Sequence, residues 1–298
     1  MTGSCNVITL NLNRIIQNWY RGWHTKEDSK VGGSLGIDWS EDGEDLKNYI
    51  ASILERVYKY HIAYKTMLYD LEEKGMFAAS NGGYIKIKKL YSTIGIIGYF
   101  EAAKFLGLNT SNNSDYKKFL QLILSTIKEQ NKVHSTPSFL FNTEAIPGEG
   151  LGVKLYNWDK KDNYVVPEDQ NLYNCYFYNP WTTESSILDK MKLHGKEINN
   201  FTDGGQACHL NLDTHLTKEQ YLKLLDVAIT EGVNYFTFNI PITECKDCHH
   251  IVNMPITECP VCHSKNMTYY TRIIGYLTAV DNWSNDRQKE FTNRKFYH

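Results

Sequence analysis

The sequence predicts an α/β fold with strands inside and helices outside, and three observations carry that reading. Leu46, Tyr49, Ile50, Ile53, Leu54, Val57, Tyr58, His61 and Ile62 recur at helical spacing within 44–74. Thr217 and Gln220 have capping-box spacing for a helix that stops at Gly232, and the apolar run 233–240 follows at once as a buried strand. Residues 7–12, Val-Ile-Thr-Leu-Asn-Leu, read as a further strand.

In chain order, strand 7–12 comes first, and Lys74-Gly75 then stops the long helix. Residues 93–107 read as a glycine-containing loop entering a short helix. Phe119, Leu120, Ile123 and Ile127 share one face of a helix over 115–130. Residues 138–142 are a strand leading into the turn-rich stretch 144–150, Glu-Ala-Ile-Pro-Gly-Glu-Gly. No internal repeat, low-complexity tract or flexible linker breaks this order. Character shifts only near residue 241, where the cysteines begin.

With 298 residues the chain suffices for one large domain or two modest ones. A net charge of −2 argues against an electrostatic grip on nucleic acid. No run reaches the roughly 18 apolar residues of a membrane helix, and the first residues carry no secretory leader pattern. Of seven cysteines, four crowd into 245–262, while Cys5, Cys175 and Cys208 are scattered. An odd count with one tight cluster reads as a metal site plus free thiols in a reducing compartment, the cytoplasm, not as a disulfide framework.

Cys245-Lys246-Asp247-Cys248 is followed after ten residues by Cys259-Pro260-Val261-Cys262. Two such turns present four thiolates to one ion, the closed tetrahedral sulfur site that zinc favours. Two redox-active pairs or an iron–sulfur cluster are the alternatives. A closed site has no position for substrate, so this zinc holds backbone.

Beyond the cysteines the chain reads Tyr269-Tyr270-Thr271-Arg272-Ile273-Ile274-Gly275-Tyr276-Leu277. The Arg-Ile-Ile-Gly-Tyr-Leu segment resembles the glycyl-radical loop of the anaerobic (class III) ribonucleoside-triphosphate reductases. The tail Val280-Asp281-Asn282-Trp283, Arg287 to Phe291 and Arg294 resembles theirs too, as does a four-cysteine site just ahead of the loop. The resemblance implies a radical on Gly275, installed by an activase carrying a 4Fe–4S cluster and S-adenosylmethionine. Glycine suits the role because a Cα radical is stabilised by its flanking amides and a side chain would hinder it.

Further matches imply further roles. Asn11, at the end of a strand resembling an Asn-Leu-Pro-Arg barrel strand with Asn13 in place of proline, would help bind the ribose. Residues 141–150 resemble a strand and loop reaching the active site, where Glu149, or alternatively Glu144, would act as general base for the ribose 3′-hydroxyl. Glu149 points to a thioredoxin-like reductant, with formate also open. Residues 93–101 resemble a loop whose amides could face substrate phosphates. His209, within the matching 202–212 segment, reads as a packed, hydrogen-bonded residue, and Cys175 and Cys208 as buried thiols.

The resemblance thus implies the C-terminal part of a glycyl-radical-enzyme α/β barrel. Residues 1–240 would form a partial barrel, 241–268 a zinc segment, and 269–298 the radical loop and tail. The family's thiyl cysteine has no counterpart here, since Cys5 stands in the wrong place. The expected partners are therefore an N-terminal half of the reductase, the activase and ribonucleoside triphosphates, assembled as a homodimer that supplies deoxyribonucleotides for DNA replication. Two other readings remain open: a non-catalytic radical or zinc module complementing a partner enzyme, and a different glycyl-radical lyase.

Overall fold

Alternation sets the first layer. The structure, a computed structural model, describes residues 3–23, 39, 42–181, 185–272 and 276–297. Strand β1 (Ser4–Asn11) runs into helix α1 (Leu12–Trp23), and the long helix α2 (Asp42–Glu73) follows. A short helix α3 (Ala78–Asn81) and a 3-10 turn (Ile87–Lys89) lead to strand β2 (Tyr91–Ile97), then helices α4 (Tyr99–Phe105) and α5 (Ser114–His134) and strand β3 (Leu140–Ala145). These three strands are parallel, in the order β1-β2-β3. Ile94, Ile96, Phe141 and Ala145 turn one face into the main core with Leu46, Leu54 and Tyr58 of α2 and Phe119, Ile123 and Ile127 of α5. By the two-residue period of a strand, Thr93, Gly95, Asn142 and Glu144 belong to the opposite face.

Helices α6 (Glu149–Lys161), α7 (Ile187–Leu193) and α8 (Lys196–Asn199) precede strand β4 (Cys208–Asn211). Helix α9 (Lys218–Glu231) then leads to strand β5 (Phe236–Asn239), parallel to β4. A parallel bridge between Glu144 and Gly205 joins the two parallel sheets, with Gly204 N donating to Thr143 O at 2.7 Å and Ala145 N to Gly205 O at 3.1 Å. Among the described residues the five parallel strands form an open set edged by β1 and β5. The expected α/β architecture is present, and the described residues show no closed barrel.

The last unit is antiparallel. Strands β6 (Ile242–Cys245), β7 (Ile251–Val252), β8 (Met267–Arg272) and β9 (Leu277–Ala279) pair in the order β7-β6-β8-β9. A 3-10 turn (Val280–Asn282) and helix α10 (Asn285–Asn293) complete the tail.

Two expectations change. The stretch read as a loop from residue 93 is the central strand β2. A Cβ on Gly95 would lie 2.4 Å from Ile146 and 2.8 Å from Thr9, so this glycine serves close packing within a strand. The turn-rich 144–150 stretch belongs partly to β3 and then opens α6, where a Cβ on Gly148 would lie 2.1 Å from Ile97.

Candidate active site and metal centre

Asn11 closes β1 at its C-terminal end. Its Nδ2 donates to both carboxylate oxygens of Asp159, at 3.0 and 2.9 Å, and its Oδ1 accepts from Arg14 N at 3.2 Å. Asp159 on α6 is fully buried and also accepts from Arg14 Nε at 2.6 Å and Tyr173 OH at 2.8 Å. Asn13 donates to Asp159 at 3.4 Å, to Val165 O at 3.1 Å and to Tyr173 OH at 2.7 Å. A buried carboxylate persists only with such partners. Burial and Asp159 together push the Tyr173 hydroxyl well above its ordinary pKa. The β1–α1 corner is thus locked to α6, and the Asn11 amide is engaged in that lock. Sequence reasoning missed Asp159, which lies far from its partners along the chain.

Glu144 is half-buried, and burial raises its carboxyl pKa, which makes it a better proton acceptor near neutrality. It lines a cavity of about 420 Å³ with Pro147, Cys175, Gly205 and Tyr235. Glu149 is the first residue of α6, and its side chain lies outside the described residues. Gly275, with Ile273 and Ile274, lies outside them as well. Gly98 holds a left-handed φ of 90°, but its N–H donates to Asn174 O at 3.2 Å and the helix after it has only seven residues. That amide is therefore spent within the protein.

Cys175 and Cys208 are buried, and burial pushes both thiols up to about 12. Cys5 sits at the other end of β1 from Asn11, its Sγ 3.3 Å from Tyr91 O. His209 is packed, with its ring 5.8 Å from that of Tyr176. Contrary to expectation, neither ring nitrogen has a hydrogen-bond partner among the described residues. Burial, then the charges of Arg294 and Arg272, pull its pKa down to about 3.

The strand entering residue 275 is held at several points. Asn239, at the end of β5, accepts from Thr271 Oγ1 at 2.9 Å and Arg272 N at 3.3 Å, and donates to Asn211 Oδ1 at 2.9 Å. Arg294 Nη1 donates to Arg272 O at 2.7 Å. The stem therefore rests on the C-terminal ends of β4 and β5, the edge where parallel α/β sheets place their sites.

Cys245, Cys248, Cys259 and Cys262 form one cluster whose sulfurs lie within 4.8 Å of one another. Cys245 and Cys262 stand 3.5 Å apart, as do Cys248 and Cys259, too far for disulfides. Zinc–thiolate bonds of about 2.3 Å require sulfurs roughly 3.8 Å apart in a tetrahedron, so the set fits zinc. The two turns repeat. Pro-Ile-Thr-Glu-Cys-x-x-Cys-His occurs at 241–249 and again at 255–263. His249 and His263 both take φ 59°, and their Nδ1 atoms meet Glu244 at 3.0 Å and Glu258 at 3.3 Å. This short repeat, legible in the sequence, contradicts the expectation of none. Lys246 joins the centre to the tail through Asp281 at 2.6 Å.

A family model described as anaerobic ribonucleoside-triphosphate reductase matches residues 1–297. A solved anaerobic ribonucleotide reductase superposes with a TM-score of 0.80 at 24% identity, covering 99% of this chain and 45% of that one. The anaerobic ribonucleotide reductase from Thermotoga maritima, solved in complex with dATP and CTP, superposes with a TM-score of 0.77 at 24% identity, covering 97% of this chain and 45% of that one. The chain thus spans less than half the length of these structural relatives, and at that identity they establish the fold. No curated protein compared with it matches. No helix among the described residues is long and apolar enough to cross a membrane. From its first residue to its last but one, the chain belongs to the anaerobic ribonucleoside-triphosphate reductase family.

Proposed function

We propose that this chain is the radical-bearing C-terminal part of an anaerobic ribonucleoside-triphosphate reductase and works with an N-terminal half that carries the thiyl cysteine. The family match over 1–297 carries the reading. A four-thiolate centre, joined through β8 to the segment containing Gly275, supports it.

Gly275 stores the unpaired electron after an activase with a 4Fe–4S cluster and S-adenosylmethionine removes a Cα hydrogen atom. Cys245, Cys248, Cys259 and Cys262 would hold a zinc ion that fixes the backbone and offers no reacting group. The Asn239 side-chain oxygen and the Arg294 guanidinium hold the strand that enters the loop. Within the assembled enzyme the thiyl cysteine takes hydrogen from C3′ of the ribose, and Glu149 or Glu144 accepts the 3′-hydroxyl proton as the 2′-hydroxyl leaves. Glu144 is favoured on position, because it lines the cavity and its carboxyl is raised. Asn11 serves the ribose by rotating away from Asp159, or serves the fold alone. The five parallel strands form the second half of the catalytic barrel. Substrates are ribonucleoside triphosphates, and the reductant is a thioredoxin-like protein or formate. The enzyme is a homodimer in the cytoplasm.

The test is an anaerobic mixture of this chain, the N-terminal half and the activase, assayed for deoxynucleotides from ribonucleoside triphosphates. Product dependent on all three is expected. A well-folded complex without product would favour the non-catalytic module. The family match disfavours a different glycyl-radical lyase.

A further inference from the structure

We propose that Glu290 is a positioning residue that makes α10 a rigid brace between the stem of the radical loop and the 146–152 segment. The functional meaning of the brace rests on the radical reading of Gly275, whereas its geometry does not.

Arg287, Glu290 and Arg294 follow one another at intervals of three and four residues, which puts them on one side of α10 and its C-cap. All three are buried, at 4%, 4% and 5% exposure. Glu290 grips Arg294 through two bonds, Oε1 to Nε at 2.6 Å and Oε2 to Nη2 at 2.9 Å, and stands 3.8 Å from Arg287 Nη1. Each guanidinium then reaches a main-chain carbonyl in a different part of the molecule. Arg294 Nη1 holds Arg272 O at 2.7 Å, and Arg287 Nη2 holds Gly148 O at 2.7 Å. Gly152 leaves the room this needs, since a Cβ there would lie 3.2 Å from Arg287 Nη2 and 2.1 Å from Tyr173 O.

One carboxylate thus sits between two buried cations. Bidentate guanidinium pairing fixes direction as well as distance. If Arg294 leaves the stem, Glu290 loses its main partner, and Arg287 loses the orientation that holds Gly148. Displacement of β8 from Arg294 therefore loosens the start of α6, and the neighbourhood of Glu144 is set only while β8 stays in place.

The test is hydrogen–deuterium exchange on the zinc-loaded full chain, comparing wild type with Arg294→Lys and Glu290→Gln. Arg294→Lys should speed exchange about tenfold in 268–272 and also in 146–152, the scale of losing a charge-assisted bond. Exchange in 245–262 should not change. Faster exchange in 268–272 with 146–152 unchanged would overturn the brace. Glu290→Gln should loosen both segments, and no change in either would equally overturn it. If Glu290→Gln speeds every segment, Arg287→Lys decides. Faster exchange at both ends supports the brace, and an effect confined to 146–152, or none, contradicts it. Because no radical is needed for this readout, a spin on residue 275 in a protein with uncoupled segments would sink the brace alone.

Discussion

Asp159 is the residue on which the β1–α6 corner turns. Asn11, Asn13, Arg14 and Tyr173 all donate to it. Asp159→Ala would leave the Asn11, Asn13 and Tyr173 donors facing a void while Arg14 keeps Asp162, so stability should fall by about 1–3 kcal/mol, read from the urea midpoint at unchanged slope. A loss below about 1 kcal/mol would mean that water replaces the carboxylate. Titrations give a second residue-scale prediction. Burial lowers His61 and His194 to about 4 and His209 to about 3. Unfolded, each titrates near 6.5. From pH 6.5 down to about 4 the unfolded chain therefore binds more protons, and stability falls as pH drops. Burial raises Glu101 to about 8, so the folded chain keeps a proton that the unfolded chain releases above about 4.5, and this stability is lost as pH rises towards 8. Three histidines outweigh one glutamate at pH 5.5, with a net slope of about 2 kcal/mol per pH unit, and only Glu101 acts above pH 7. Urea unfolding at stepped pH should show a maximum near neutrality, and a flat profile from pH 5 to 7 would contradict it. At this scale the four-cysteine cluster was legible because its spacing is local. Asp159 and Glu290 were not, because their partners are set by tertiary packing.

At the scale of elements, helix α9 was read correctly because its signals lie within its own ends. Thr217 and Gln220 form the capping box, and Gly232 ends the helix at φ 76°. Thr217→Ala should therefore cost about 1 kcal/mol in thermal unfolding, while Thr217→Ser should cost little. Equal losses for both would deny the cap. Strand β2 was misread for the opposite reason. It is buried along nearly its whole length, so Thr-Ile-Gly-Ile-Ile lacks alternation, and Gly95 answers Ile146 and Thr9 from other elements. The metal centre is a second test of elements. A strong chelator, or Cys259→Ser, should remove bound zinc and open 242–272 to protease. The α2–α5 layer should stay protected, because its core includes no residue of the hairpin. Loss of metal without faster cleavage of that stretch would mean that the thiolates do not clamp it.

At the scale of the whole molecule, the parallel strands among the described residues end in two open edges, β1 and β5, and both are flanked by exposed apolar side chains. Val7 lies on β1, Tyr235 immediately before β5, and Leu222, Leu225 and Ile229 on α9. Open parallel edges favour pairing or aggregation. The chain alone should associate at micromolar concentration in sedimentation, and the N-terminal half should convert it to one defined species. The α/β class followed from local periodicity, whereas the family relationship needed the linked pattern of cysteines, glycine loop and tail. The central claim concerns one Cα near the tail, and electron paramagnetic resonance after anaerobic activation tests it most directly. Wild-type chain with the N-terminal half and the activase should give an organic radical signal that Gly275→Ala abolishes at unchanged zinc content. A zinc-loaded, folded sample that never acquires the signal, or one whose signal survives Gly275→Ala, would contradict the account.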